Sequence, residues 1–344
     1  MNDKTVKRIR IHKNSREQKA LLNAFNCGAW VVGKELAAME TNLKTCFNKK
    51  YALLTSSGFA SLFLSLKSLN IKNQPVYLPE ISTCFAMVNA VIASGNIPKF
   101  ISMDALTGNI NINEIKDSKS IKYLVAPNHN GVLTNIEKIK KNNIVVIEDC
   151  AQSFLSSTKK KSSADFQVFS FYPTKLINGI DGGAILTDDL AHYEKIKKMI
   201  YYDDQLKFEA EERFNFRLNN INASVFNANF SRLHKIEKKL ESISGKYKKA
   251  LGNVIHVLDD ALTKNVFNKF IIVFKTEQEK RKVVKLSKTF GIDISPVFIK
   301  ISNTNISSDS TLLLKYAYQI PYFEDLKKTE IKRVCHFLAA IKHA

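Results

Sequence analysis

Val145-Val146-Ile147-Glu148-Asp149 reads as a buried strand that ends on two acids. Successive β-branched apolar residues suit a strand covered on both faces, as in a parallel sheet. Working outward, similar short runs recur at Tyr51 to Thr55, Gln74 to Leu78, Ile97 to Ile101, Ile121 to Ala126, Asn143 to Glu148 and Phe166 to Phe171, alternating with helical patterns. This rhythm predicts an α/β fold with a mostly parallel central sheet flanked by helices. Ligands of such sheets gather beyond the carboxyl ends of the strands, so the loops after these runs are where chemistry is expected.

Past residue 220 the rhythm changes. Leu233, Ile236, Leu240, Ile243 and Tyr247 recur at three- and four-residue steps and mark one apolar stripe on a long helix. Strand-like residues from Phe267 to Phe274 and an amphipathic helix from Leu326 to Ile341 complete a smaller α+β C-terminal domain. The expected division is 1–235 for the large domain and 236–344 for the small one.

With 344 residues the chain can bury a large core, and its 45% hydrophobic, 24% charged composition is that of a soluble globular protein. No apolar run approaches a membrane span, and the basic start from Met1 to Asn14 lacks the apolar stretch of a secretory signal. A cytoplasmic location with no membrane partner is expected. The five cysteines are scattered without paired spacing, which indicates neither a disulfide framework nor a metal site. The formal charge of +20 raises nucleic acid as a partner, but the lysines are dispersed and share segments with acids, as in Lys235-Ile236-Glu237-Lys238-Lys239. Such dispersion is a solvated surface rather than a binding stripe, and no nucleic-acid partner is expected.

Four segments could carry chemistry. Gly28 to Lys34 has P-loop spacing, but Glu35 stands where Ser or Thr must hold magnesium, and a helix rather than a strand precedes it. Thr55-Ser56-Ser57-Gly58-Phe59-Ala60 is a strand-to-helix turn, either an anion site at a helix N-terminus or simply a turn. Asp149 can pair with a cation at the mouth of the sheet, or cap the helix that follows. Phe169-Ser170-Phe171-Tyr172-Pro173-Thr174-Lys175, followed by Gly179, Gly182 and Gly183, puts one lysine in a glycine-rich loop after a strand. It is either a surface charge or an amine nucleophile toward carbonyls. No G-x-S-x-G, H-E-x-x-H or EF-hand pattern competes.

Taken in order, these segments resemble the DegT/DnrJ/EryC1/StrS family, fold-type I aminotransferases acting on sugars. Cys27-Gly28-Ala29-Trp30 with Gly33 and Glu40 resembles its early Gly-Trp, Gly and Glu pattern, and Ser57-Gly58-Phe59-Ala60 its S-G-T-A turn. Asn89, Gly95 and Pro98 match its N-A-V…G…P run, and Glu148-Asp149-Cys150-Ala151-Gln152 its E-D-A-A-Q. Ser170 to Lys175 with Gly182-Gly183-Ala184 matches S-F-x-x-x-K…G-G-A, and Asn215-Phe216-Arg217 matches N-Y-R.

The resemblance implies pyridoxal 5′-phosphate as cofactor, held covalently by Lys175, which would also shuttle the substrate proton. Asp149 would keep the ring nitrogen protonated and so make the ring an electron sink. Gln152 would bond the ring oxygen. Ser170 and the turn of Gly58, Phe59 and Ala60 would hold the phosphate. Asn215 would reach the phosphate of a neighbouring subunit, which implies a homodimer with shared active sites. Phe59 departs from the family's threonine, and Cys84-Phe85 stands where an aromatic residue usually follows Thr to stack on the ring, so Cys84 or Phe85 would cover it. Asn128-His129-Asn130-Gly131 replaces H-x-x-G, and Asn229-Phe230 replaces Gln-Leu. Family members with His at the lysine position are dehydratases; Lys175 points instead to transamination. The expected reaction moves an amine from glutamate to a keto sugar, nucleotide-linked, for amino-sugar and surface-polysaccharide biosynthesis. The alternative is a degenerate, regulatory member that binds the cofactor without efficient turnover.

Overall fold

A computed structural model describes residues 5–11, 14–116, 120–141, 143–201, 212–253, 255–259 and 267–342. Its central sheet has seven strands in the order Tyr51–Thr55, Gly183–Thr187, Phe166–Ser170, Val145–Asp149, Tyr123–Pro127, Pro75–Pro79, Ile97–Ile101. Only Gly183–Thr187 runs against its neighbours.

Side chains alternate across this sheet, as strand geometry requires. On one face Leu53, Ile185, Val168, Ile147 and Val125 pack with Leu62, Leu66 and Ile196 from helices Gly58–Ser68 and Leu190–Ile200. On the other face Ala52, Leu54, Leu186 and Phe169 join Met39 and Phe226, from helices Lys34–Phe47 and Asn220–Phe230, in the largest core. Both faces are covered, which explains why the strand sequences read as near-continuous apolar runs.

Strand ends differ from the expected ones by one or two residues. The run expected from Asn143 starts at Val145, because Asn143 adopts φ 54°, a left-handed conformation that no strand residue takes. Phe171 falls outside its strand, since its N–H already bonds the Gly182 carbonyl at 2.8 Å.

The long helix spans Leu233–Leu251 and buries Ile236, Leu240, Ile243 and Tyr247 of the expected stripe. A second, antiparallel sheet runs Ser295–Pro296, Ala317–Ile320, Phe270–Val273, His256–Val257. The closing helix, Lys328–Ile341, starts two residues later than expected; Glu330 accepts the Lys327 N–H at 2.8 Å and so sets its first turn.

Two stitches join this C-terminal part to the rest. Ile81–Ser82 pairs with Ile299–Lys300, next to the strand Pro75–Pro79. Val6 bridges to Ile292, and Arg8 forks onto Asp293 at 2.9 and 3.2 Å. Among the described residues no helix is long and apolar enough to cross a membrane.

Candidate active site

The carboxyl edge of the parallel strands gathers most of the expected site. Glu148 and Asp149 end one strand and face opposite ways. Glu148 is buried, with Oε1 accepting from Asn128 at 2.8 Å and Oε2 from Gln167 at 2.9 Å. Asp149 accepts the Ala151 N–H on Oδ1 at 2.9 Å, and its other oxygen has no hydrogen-bond partner among the described residues. Burial pushes the Asp149 carboxyl up; the Ala151 N–H and then the charge of Lys175 oppose it.

Ser170 ends the next strand, and the chain then turns back on itself: Gly179 N–H bonds the Phe171 carbonyl at 2.9 Å and Lys175 N–H the Tyr172 carbonyl at 2.8 Å. This closed loop sets Lys175, half-buried, on the wall of a cavity. Burial lowers its affinity for a proton, with Asp149 first and Cys84 next pulling the other way. Lys175 and Asp149 feel each other's charge yet form no ion pair within 4 Å.

Ser57 caps helix Gly58–Ser68 and accepts the Ala60 N–H at 3.1 Å. Gly58 is pressed against Ser170: a Cβ there would lie 2.8 Å from the Ser170 Cβ and 3.2 Å from its Oγ. The Ser170 hydroxyl, without a hydrogen-bond partner among the described residues, therefore sits at a helix N-terminus, where N–H groups and the helix dipole favour an anion. Ala60 offers less than expected because its N–H is already spent on Ser57. The Phe59 ring stacks on Phe63, with centroids 6.2 Å apart.

Gln152 has both ends engaged, accepting the Asn130 N–H at 3.0 Å and donating to Thr83. Cys84 is exposed and is an electrostatic neighbour of both Lys175 and Lys269, whereas the Phe85 ring stands 51% exposed at the start of helix Ala86–Ala93. Asn215 is exposed on the segment that runs beside Thr55 and Ser56, where Phe216 accepts the Ser56 N–H at 2.7 Å.

Sequence reasoning missed several residues. Asn128, where the related pattern has His, is a buried hub: it donates to Glu148 and Ser153 and accepts the Thr134 N–H at 2.7 Å. Arg8, Arg10 and Lys269 line the same cavity as Gln152 and Lys175. Lys269 is drawn down to about 8, by burial first and by the Lys175 charge second. Its only sequence signal was a lone lysine at the start of an apolar run, one of 52 basic residues. Arg8 carried none, since it comes from the far end of the chain.

These features fit pyridoxal phosphate: an unspent hydroxyl at a helix N-terminus for its phosphate, a half-buried amine for its aldehyde, and a half-buried carboxylate for its ring nitrogen. The sequence model of the DegT/DnrJ/EryC1/StrS aminotransferase family matches residues 12–339. The chain belongs to that family. GDP-perosamine synthase of Escherichia coli O157:H7 is 24% identical over 349 residues, covering 93% of this chain and 94% of that protein. The 3-oxo-glucose-6-phosphate:glutamate aminotransferase of Bacillus subtilis (strain 168) is 24% identical over 313 residues, 84% of this chain and 69% of that protein. Among solved structures, the E. coli GDP-4-keto-6-deoxy-D-mannose-3-dehydratase with bound hydrated PLP superposes with a TM-score of 0.86 at 17% identity, covering 97% and 99% of the two chains. That likeness concerns the fold alone. As a member of the family the chain is a pyridoxal-phosphate-dependent aminotransferase.

Proposed function

We propose that this chain moves an amino group from glutamate to a keto sugar carried on a nucleotide, as a step in making an amino sugar. The observation that carries the reading is that the half-buried Lys175 amine and Asp149 carboxylate feel each other's charge at the carboxyl edge of the sheet without forming an ion pair. The relatives supply the substrate class: one is named for a GDP-linked amino sugar, the other for glutamate.

Pyridoxal phosphate, when bound, supplies an electron-withdrawing ring that stabilises negative charge on the carbon next to the transferred nitrogen. The chain does the rest. Lys175 would tether the cofactor through its Nζ; burial favours its neutral amine, and once free that amine would serve to move the substrate proton. Asp149 holds a proton on the ring nitrogen. Ser170 and the N-terminus of helix Gly58–Ser68 hold the phosphate. Gln152, braced by Asn130 and Thr83, would turn its remaining N–H to the ring oxygen, and Cys84, an electrostatic neighbour of Lys175, would cover the ring rather than the exposed Phe85.

Exposed Asn215 would complete a phosphate site in a second copy, giving a homodimer with shared sites and a cytoplasmic enzyme. We also propose that residues 1–235 form the cofactor domain and 236–344 the smaller one, with the N-terminal clasp as their tie.

An absorption spectrum tests the chemistry. Wild-type protein incubated with pyridoxal phosphate should show a cofactor band that shifts on adding glutamate, and Lys175→Ala should lose the covalent band. A wild-type protein that stays colourless would end the proposal. Turnover of glutamate to 2-oxoglutarate with a keto sugar would exclude a purely regulatory member.

A further inference from the structure

The charged residues lining the Lys175 cavity are almost all matched. The charge of Arg8 is matched by Asp293 through Nη1, although its buried Nε has no hydrogen-bond partner among the described residues; Arg10 holds Glu330, and Arg232 holds Glu324, which faces the cavity. Lys175 has the nearby charge of Asp149. Lys269 is different. It lines the same cavity and senses the charge of Lys175, yet among the described residues its ammonium has neither a hydrogen bond nor a carboxylate partner.

Beside it lies a second unsatisfied group. The Asn130 carbonyl accepts the N–H groups of Asn268 at 2.9 Å and Lys269 at 3.3 Å, which ties the two segments together. The Asn130 side chain is 1% exposed, and among the described residues neither its Nδ2 nor its Oδ1 has a partner. A buried amide left unpaired costs about 1–3 kcal/mol, and an unmatched ammonium in a cavity also lacks what would stabilise it. Both deficits lie next to Gln152, which holds the Asn130 N–H.

We propose that Lys269, flanked by Asn130, is the subsite for the α-carboxylate of the amino donor. The proposal rests on the amine transfer above and names the residue that reads its donor. An amino acid carries its carboxylate one carbon from the amine. When that amine comes to the place of the Lys175 amine, the carboxylate lies close by, and the cation of this cavity that lacks a carboxylate partner among the described residues and senses the Lys175 charge is Lys269. A sugar nucleotide has its diphosphate separated from the keto carbon by ring atoms, so its charge falls farther from Lys175. The ligand carboxylate is the counter-ion that Lys269 lacks, and the Asn130 carbonyl, which accepts the Lys269 N–H, fixes the backbone from which that ammonium reaches the cavity.

The test titrates cofactor-loaded protein calorimetrically with glutarate, a dicarboxylate that cannot transfer an amine, and separately with GDP. Lys269→Met should weaken glutarate by roughly tenfold or more, the loss of a charge-assisted hydrogen bond, and leave GDP within about threefold. Lys269→Arg should keep glutarate within about threefold. Thermal melts check folding, and Lys269→Gln replaces the Met variant should that one not fold. No glutarate binding by the wild type, unchanged glutarate binding in the variant, or a loss confined to GDP would each overturn the assignment. The cofactor band reports on Lys175 independently, so failure of the donor subsite and failure of the proposed chemistry are read apart.

Discussion

Glu148 and Asp149 are bonded neighbours with opposite surroundings: the first has both oxygens hydrogen-bonded inside the core, and the second keeps one oxygen free beside Lys175. The family's paired acids thus divide into a structural and a chemical member. Asp149→Asn should fold with at least wild-type stability, since it removes a carboxylate that burial disfavours. Transamination should fall roughly 10- to 100-fold, the worth of a hydrogen bond to a charged group. Glu148→Gln should do the reverse. It puts an amide against one of two donors, costs about 1–3 kcal/mol in urea denaturation, and leaves the cofactor spectrum in place. Equal effects of the two substitutions on activity would contradict the division.

The contact between Gly58 and Ser170 sets the phosphate end. Gly58→Ala forces a methyl to within 2.8 Å of the Ser170 Cβ, so the first turn of the helix must move. Cofactor affinity, measured by fluorescence titration, should drop about tenfold or more, with a stability loss of about 1–3 kcal/mol. Ser170→Ala removes a hydroxyl without crowding and should weaken the cofactor by a similar factor, with little change in stability.

His129 makes the protein sensitive to acid. Its ring is buried, with Ser82 at 3.0 Å from Nε2 and the Gly108 carbonyl at 3.0 Å from Nδ1. Burial, aided by Lys269 and opposed by the Gly108 bond, pulls it from 6.5 to about 4. The unfolded chain therefore takes up the proton before the folded one does. Stability contributed by the neutral ring is complete above 6.5 and is lost as the pH falls from 6.5 toward 4, up to about 3 kcal/mol. Urea denaturation at pH 7 and pH 5 should show this loss in the wild type and a smaller one in His129→Gln.

The N-terminal clasp should matter to the site as well as to stability. Arg8→Ala breaks a two-pronged bond to Asp293 and strips one wall of the cavity. Half-exposed ion pairs contribute little, about 1 kcal/mol or less, so a modest fall in melting temperature is expected. The KM for glutamate should rise several-fold with kcat nearly unchanged, as steady-state kinetics would reveal.

Most of the central sheet was legible because its strands are covered on both faces and therefore carry uninterrupted apolar runs. Asp149, Ser170 and Lys175 were legible because each stands at a strand end or in the loop after it, and strand ends are visible in sequence. Asn128 and Asn130 were harder: both sit in one short polar loop, and what separates a hub from an unsatisfied amide is the burial around each. Lys269 and Arg8 were invisible for a different reason. Each looks like ordinary surface charge until the C-terminal sheet and the first residues of the chain fold over the cavity.

That closure has a bearing on synthesis. The wall around Lys175 draws on Arg8 and Arg10 from one extremity and Asp325 from the other, with Arg10 held by Glu330. A nascent polypeptide emerging from the ribosome cannot finish this chamber until Asp325 has been translated. Trapping of the cofactor should therefore wait for that segment, and a stalled chain ending before residue 320 should remain unable to retain it.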